Sequence, residues 1–148
     1  MNQEIKKEKI LVVADETDMR VFLSTVIETG GFDPIVAING TEGLKKALKE
    51  NPDLIIVDVM MPKEDGLQMY RNLKYDKMFK NIPVIMLSSI DKHTFFHYQK
   101  MKNVLPGKSL PEPEAYLEKP PEAEELIGLI HDMLGKKREL KDFLSEEP

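Results

Sequence analysis

The chain has 148 residues, a length typical of one compact domain. Its net charge of −5 argues against nucleic-acid binding by this domain, because phosphate contacts require a basic surface. The absence of cysteine excludes disulfides and thiolate chemistry. The longest apolar run, residues 10–14, is far shorter than the roughly 18 residues of a membrane span, and the first nine residues lack the apolar core of a secretory signal. We therefore expect a cytoplasmic protein without a membrane segment.

Short apolar runs recur along the chain and predict its strands. They are ILVVA (10–14), PIVAI (34–38), DLIIVD (53–58) and PVIML (83–87), and a weaker candidate is EAYLE (114–118). Because the first four runs are uninterrupted rather than alternating, they predict strands that are buried on both faces.

Segments with helical apolar spacing separate the runs, and residues that begin or end helices bound them. Strand and helix alternate five times with short links, which predicts an α/β fold with a parallel sheet and right-handed crossovers. The first predicted helix ends at Gly30, the second spans Asn39 to Asn51, and the third follows Asp65-Gly66. The fourth spans about Asp91 to Asn103, and the fifth runs from near Pro121 to at least Gly135.

The end of the fifth helix permits two interpretations. Gly135 offers a C-terminal stop, whereas apolar residues continue at helical spacing on both sides of it. We favour an extension, which would make this helix a connecting or dimerising element, with 9–135 as the domain and 136–148 as its tail or linker. The apolar residues are Leu126, Ile130, Met133, Leu140 and Leu144.

Polar residues follow the predicted strands at the sheet edge where ligands of parallel α/β sheets bind. Two carboxylates a few ångströms apart repel by roughly 4 kcal/mol at an effective dielectric of 20, so they share a proton or hold a cation. Oxygen ligands with open positions favour Mg²⁺, and the whole set suggests phosphorylation of an aspartate. The residues are Asp15, Asp58, Ser88 and Lys119.

Four blocks, ILVVADE, IIVDVMMPKEDG, PVIMLSS and YLEKP, resemble in this order the receiver domain of two-component response regulators. The resemblance covers roughly residues 9–135 and rests on several spaced blocks rather than on one pattern. It implies a flavodoxin-like (βα)5 fold, a doubly wound five-stranded parallel sheet with strand order 2-1-3-4-5. It also implies a signalling module rather than an enzyme.

The resemblance implies Asp58 as the phosphoacceptor. It implies Asp15 and Asp58 as side-chain ligands of Mg²⁺ and the backbone carbonyl of Met60 as the third protein ligand. A histidine kinase or a phosphotransfer protein would supply the phosphoryl group. A downstream effector would bind the face formed by the fourth helix, fifth strand and fifth helix, and a homodimer is a further candidate.

Three more residues receive roles from the resemblance. Ser88 would supply the hydroxyl that shifts towards the phosphoryl group, and Lys119 would be the ion partner of that group. Tyr116 would be the aromatic residue that changes rotamer. The Lys119–Pro120 bond is expected to be cis. Asp65, by contrast, is interpreted from its position as the N-cap of the third helix.

The sequence departs from the family pattern in two places, and alternatives to the phosphoacceptor switch were compared with it. Receivers present two adjacent acids after the first strand, and the first is Ala14 here; the segment from Ser88 to Tyr116 is also long. Ala14 motivates a pseudoreceiver that binds partners without phosphorylation.

A phosphatase of the haloacid dehalogenase type is disfavoured because Met60 stands where its second aspartate would be. A flavin carrier is disfavoured because the sequence DETD would repel its phosphate.

Overall fold

The computed structural model describes residues 6–102 and 111–145 of the chain. Strands and helices alternate through these ranges as the apolar pattern predicts. The strands are β1 (Lys9–Val13), β2 (Asp33–Ala37), β3 (Leu54–Asp58), β4 (Val84–Ser88) and β5 (Ala115–Glu118). The helices are α1 (Thr17–Thr29), α2 (Gly40–Glu50), α3 (Asp65–Tyr75), α4 (Lys92–Lys102) and α5 (Ala123–Ser145), with a 3₁₀ turn at Pro62–Glu64 before α3. Asn103, where the fourth helix was expected to end, lies outside the described residues.

The strands form one parallel sheet in the order β2-β1-β3-β4-β5, which confirms the predicted topology. β3 lies at the centre, with Ile10 of β1 beside Leu54 and Asp58 beside Leu87 of β4. Because all strands run in one direction, the residues that end them meet at a single edge.

Two apolar layers cover the sheet, one on each face. Leu11 and Val13 of β1 point into the layer formed with α2, α3 and α4. Ile10 and Val12 of the same strand point into the layer formed with α1 and α5. Alternate side chains of one strand therefore hold helices on both faces, as a doubly wound sheet requires.

Burial differs between central and edge strands. β1, β3 and β4 are almost wholly buried, as their uninterrupted apolar runs predict. The same expectation is wrong for PIVAI, since most of β2 is only half-buried and Ile38 is exposed. β2 lies at the edge of the sheet and pairs with β1 alone, which leaves its other side without a covering strand.

Helix α5 continues through Gly135 to Ser145, which confirms the expected extension. Two basic residues of the extension contact the edge of the sheet where the strands begin. Lys137 lies 3.9 Å from the carboxylate of Asp53, and Arg138 forms an ion pair with Glu8. Within the described ranges, none of the helices combines the length and apolar character of a membrane span.

Candidate functional site

Asp58 ends the central strand β3 and is only 1% exposed. A carboxylate this deeply buried requires charged or hydrogen-bonding partners. Its Oδ2 lies 2.5 Å from the Nζ atom of Lys119, and its Oδ1 accepts a hydrogen bond of 2.8 Å from the backbone N–H of Met60. The charge of Asp58 is therefore balanced by one ammonium and one amide.

Lys119 reaches Asp58 from the segment that follows β5. Its backbone N–H donates to the carbonyl of Ser88 at 2.8 Å, which fixes the segment against β4. The Lys119–Pro120 bond is cis, as expected. The side chain is 15% exposed, so the ion pair lies beneath the surface of the carboxyl edge.

Ser88 and its neighbour Ser89 differ in position. Ser88 is fully buried and its Oγ accepts from the N–H of Ile90 at 3.0 Å, whereas Ser89 is exposed. The hydroxyl of Tyr116 donates to the carbonyl of Ile90 at 2.6 Å. Burial raises the pKa of Tyr116, and a hydrogen bond with Ser88 partly opposes this. Ser88 and Tyr116 therefore meet at the loop that follows β4.

Asp15 and Ala14 follow β1 at the same edge. Asp15 is exposed, and no donor among the described residues pairs with its carboxylate. Ala14 is fully buried, and its N–H donates to the carbonyl of Ala37 at 3.1 Å. Its own carbonyl accepts from the guanidinium of Arg20 at 2.8 Å. The side chain that directly follows β1 is thus apolar and enclosed.

The donor set suits a hard cation but is sparse. Asp15 and Asp58 offer carboxylate oxygens, the ligands that Mg²⁺ prefers together with water. Across the part of the chain that the structure describes, no three His, Cys, Asp or Glu side chains form a metal-binding group. A cation at this edge would therefore need backbone carbonyls and water beside the two carboxylates.

Asp65 has a role that local sequence analysis assigned incorrectly. Instead of capping α3, its carboxylate accepts a hydrogen bond from the N–H of Gly40, in the first turn of α2. The next residue, Gly66, lies so close to β3 that an added Cβ would stand 1.9 Å from the carbonyl oxygen of Asp58. The sequence signal for these contacts was the Asp65-Gly66 dipeptide at the start of a helix. It could not identify the contacted residues, Gly40 and Asp58, because they are not adjacent in the sequence.

Comparisons with known proteins indicate one family for this chain. The family model described as the response regulator receiver domain matches residues 10–105. PilG of Pseudomonas aeruginosa is 37% identical over 130 residues, which covers 88% of this chain and 90% of PilG. The alkaline phosphatase synthesis transcriptional regulatory protein PhoP of Bacillus subtilis is 44% identical over 84 residues, or 57% of this chain and 34% of PhoP. The chain thus spans nearly all of PilG but about a third of PhoP.

Solved structures show the same fold. The receiver domain of Francisella response regulator 1452 has a TM-score of 0.71 at 32% identity, covering 88% of this chain and 98% of that domain. A response regulator receiver domain protein from Clostridium thermocellum has a TM-score of 0.72 at 26% identity, covering 90% of this chain and 98% of that chain. Together with the family match over residues 10–105, these likenesses show that the chain belongs to the response regulator receiver domain family.

Proposed function

We propose that this receiver is a phosphoacceptor switch whose phosphorylated residue is Asp58. The observation that carries the proposal is the ion pair between the buried Asp58 and Lys119, at 2.5 Å on the carboxyl edge of the sheet. A buried ion pair is a costly way to stabilise a fold, because desolvation opposes the Coulombic attraction. Such a pair at a ligand-binding edge is a functional-site candidate.

The proposed reaction is transfer of a phosphoryl group from a phosphohistidine of a histidine kinase or a phosphotransfer protein. A carboxylate oxygen of Asp58 attacks phosphorus, the phosphorus–nitrogen bond breaks, and its electron pair stays on the imidazole. The product is an acyl phosphate. Lys119 is positioned to neutralise charge on the transferred group.

Mg²⁺ is the proposed cofactor, held by Asp15, Asp58 and the backbone carbonyl of Met60. Its supporting observation is the carboxylate of Asp15, which lacks a donor among the described residues. When bound, the cation would neutralise charge on the phosphoryl oxygens. The chain's own residues hold the acceptor, since Lys119 and the Met60 amide each engage one oxygen of Asp58.

The proposed switch consists of Ser88 and Tyr116. Both already share contacts with Ile90, and Tyr116 packs against Phe95 and Phe96 of α4, with ring centroids 5.8 and 6.1 Å apart. A shift of the Ser88 hydroxyl towards a phosphoryl group would release its bond to Ile90. Movement of Tyr116 would then change the α4-β5-α5 face, where we place the effector.

The test is phosphorylation of the full chain with acetyl phosphate and Mg²⁺, followed by peptide mapping in a mass spectrometer. We expect one modified residue, Asp58, and no labelling of Asp58→Asn. Asp53→Asn is the matched control, because this acid directly precedes the same strand at its opposite end, and it should label normally. Modification of another residue, or equal labelling of Asp58→Asn, would refute the assignment.

The buried Ala14 supports a second candidate, a pseudoreceiver that binds partners without phosphorylation. Placing an acid there separates the two, because one more carboxylate should strengthen attraction for a cation. If the site is a receiver site, Ala14→Asp should tighten Mg²⁺ binding by about 10–100-fold, the usual size of an outer-ligand effect. Titration of the unphosphorylated protein measures it. Unchanged or weaker binding would favour the pseudoreceiver.

A further inference from the structure

Two apolar patches on this molecule are exposed and lie far from the carboxyl edge. The first, the α2–α3 groove, is a surface groove of about 580 Å³ between helices α2 and α3. The second, the tail stripe, is the apolar side of the last turns of α5 and consists of Leu140, Phe143 and Leu144. Leu48 and Tyr75 at the groove, and all three residues of the stripe, are 60–65% exposed.

The groove has the shape of a site for a helix. Leu44 and Leu48, one turn apart on α2, form one wall, and Tyr75 and Phe79 form the other. The tail stripe has the matching pattern, since its residues stand at i, i+3 and i+4 on one side of a helix. An amphipathic helix that lays such a face into an apolar groove is a recurrent mode of protein recognition.

Charge distinguishes the two patches. Lys45 and Asp76 line the groove, and the carboxylate of Asp76 accepts from the N–H of Met78 at 2.7 Å. Lys49, Lys77 and Lys80 are exposed and directly follow lining residues in the sequence. Residues 139–148 contain four acidic residues and one lysine. The basic residues before them contact their own domain, Lys137 at Asp53 and Arg138 at Glu8. The exposed lysines in and next to the groove therefore outnumber its one lining carboxylate, whereas the end of the chain is acidic.

We propose that the tail stripe of one copy of this chain docks in the α2–α3 groove of a second copy. The lysines of the groove would face the acidic residues of the tail, and Leu140, Phe143 and Leu144 would cover Leu48 and Tyr75. This inference does not depend on phosphorylation of Asp58, because neither patch includes a residue of that site.

The tail cannot occupy the groove of its own domain. Helix α5 packs with α1 on one face of the sheet, whereas α2 and α3 cover the opposite face. Lys137 and Arg138 hold the extension at the beginning of β1 and β3. The seven residues from 139 to 145 then extend only about 10 Å as a helix, too short to cross the sheet.

Each copy carries one tail and one groove, so two copies can exchange tails around a twofold axis. Such a dimer closes, since no tail or groove is left over. It contains two identical helix-in-groove contacts, and loss of either patch in both copies removes both contacts.

The test is sedimentation velocity of the full chain over a concentration series, with Phe143→Asp as the tail variant and Leu48→Asp as the groove variant. Both residues are exposed, so the variants should fold, which circular dichroism checks. We expect at least tenfold weaker dimerisation of each variant alone. Val21→Asp, an equally exposed apolar position on α1, is the matched control and should dimerise as the wild type does.

Mixing the two variants is the decisive measurement. The intact tail of Leu48→Asp fits the intact groove of Phe143→Asp, so the mixed dimer regains one of the two contacts and should associate more tightly than either variant alone. Lys45→Glu combined with Lys49→Glu should weaken the wild-type dimer, as should added salt. Normal dimerisation of Leu48→Asp would indicate tail-to-tail contact and overturn the proposal. So would failure of the mixture to associate, or a wild type that stays monomeric up to about 1 mM.

Discussion

The two ends of the sheet both carry ion pairs, but in different surroundings. At the carboxyl end, Asp58 and Lys119 form a pair at 2.5 Å beneath the surface. At the amino end, Lys9 pairs with Glu50 at 3.2 Å and Lys137 with Asp53 at 3.9 Å, and all four side chains are 35–46% exposed. Among the described residues, the paired carboxylate is therefore almost fully buried at the carboxyl end, whereas the carboxylates paired at the amino end, including Glu114 with Lys74, are 25–38% exposed.

The difference indicates what each pair contributes. Exposed pairs contribute roughly 0–1 kcal/mol, because water and salt screen them. A buried pair seldom stabilises more than apolar side chains would, yet breaking it is expensive. We therefore expect the loss of an ion pair at the amino end to change stability little. The buried pair at the carboxyl end requires desolvation of both charges, and function explains this requirement better than stability does.

The largest expected effect on stability is that of Lys119→Met, which leaves the carboxylate of Asp58 buried without its ammonium. We expect a loss of about 3–5 kcal/mol in the free energy of unfolding, measured by urea denaturation at neutral pH. The double variant Asp58→Asn, Lys119→Met should recover most of this loss. If the double variant is no more stable than the single one, packing rather than charge accounts for the effect.

Gly66→Ala tests how tightly the backbone beneath the site is packed. The added Cβ would stand 1.9 Å from the carbonyl oxygen of Asp58, and backbone cannot move aside as a flexible side chain can. We expect a loss of about 1–3 kcal/mol in thermal or urea unfolding. Gly135→Ala is the control within a helix, because nothing lies within 4 Å of its added Cβ. It should gain about 0.5–1 kcal/mol, and a loss there would contradict the continuous helix.

Lys137→Met measures the contribution of an exposed ion pair at the amino end, for comparison with Lys119→Met. This residue pairs with Asp53 at 3.9 Å in an exposed position, so removing it should cost less than about 1 kcal/mol. The cost should fall further in high salt, which screens exposed charges. A loss as large as that of Lys119→Met would mean that the two ends do not differ as described.

The smallest expected effect concerns Asp91, which is fully exposed near the carboxyl end. A hydrogen bond from the hydroxyl of Thr94 lowers the pKa of Asp91, and its carboxylate also accepts from the Thr94 N–H at 2.9 Å. Because the pKa is lower in the folded state, this contribution is present above the unfolded value of about 3.9 and is lost as pH falls through the folded pKa.

Hydrogen exchange of the Thr94 amide should therefore lose protection on acidification beyond the intrinsic pH trend. Asp91→Asn should abolish that extra dependence, since the amide of Asn does not titrate in this range. Equal pH dependence in both proteins would show that another group controls the start of α4.

Local patterns predicted most of the fold because they report local physics. Apolar runs located each strand to within about one residue, and Asn39 and Asn51 bound α2 as expected, the first accepting from the N–H of Glu42 at 2.8 Å and the second adopting a left-handed conformation. The partial exposure of β2 could not be predicted from its run, because PIVAI is as apolar as the central runs. Only its place at the edge of the sheet distinguishes it.

Long-range contacts were less accessible to sequence analysis. The position of Asp65 before a predicted helix suggested a cap for that helix, whereas its partner is Gly40, 25 residues earlier. Lys137 and Arg138 likewise contact Asp53 and Glu8, which stand 84 and 130 residues earlier in the chain, so no local pattern predicts these contacts. Convergence of Asp58 and Lys119, by contrast, followed from the predicted parallel sheet, because parallel strands bring their carboxyl ends to one edge.

The unbroken course of α5 through Gly135 has a mechanical consequence. A continuous helix transmits rotation, and each residue inserted or removed between Gly135 and Ser145 would turn whatever follows by about 100° and displace it by about 1.5 Å. An insertion of seven residues, close to two full turns, would nearly restore the original direction. The number of residues in the extension thus sets the direction in which anything attached to its end would point.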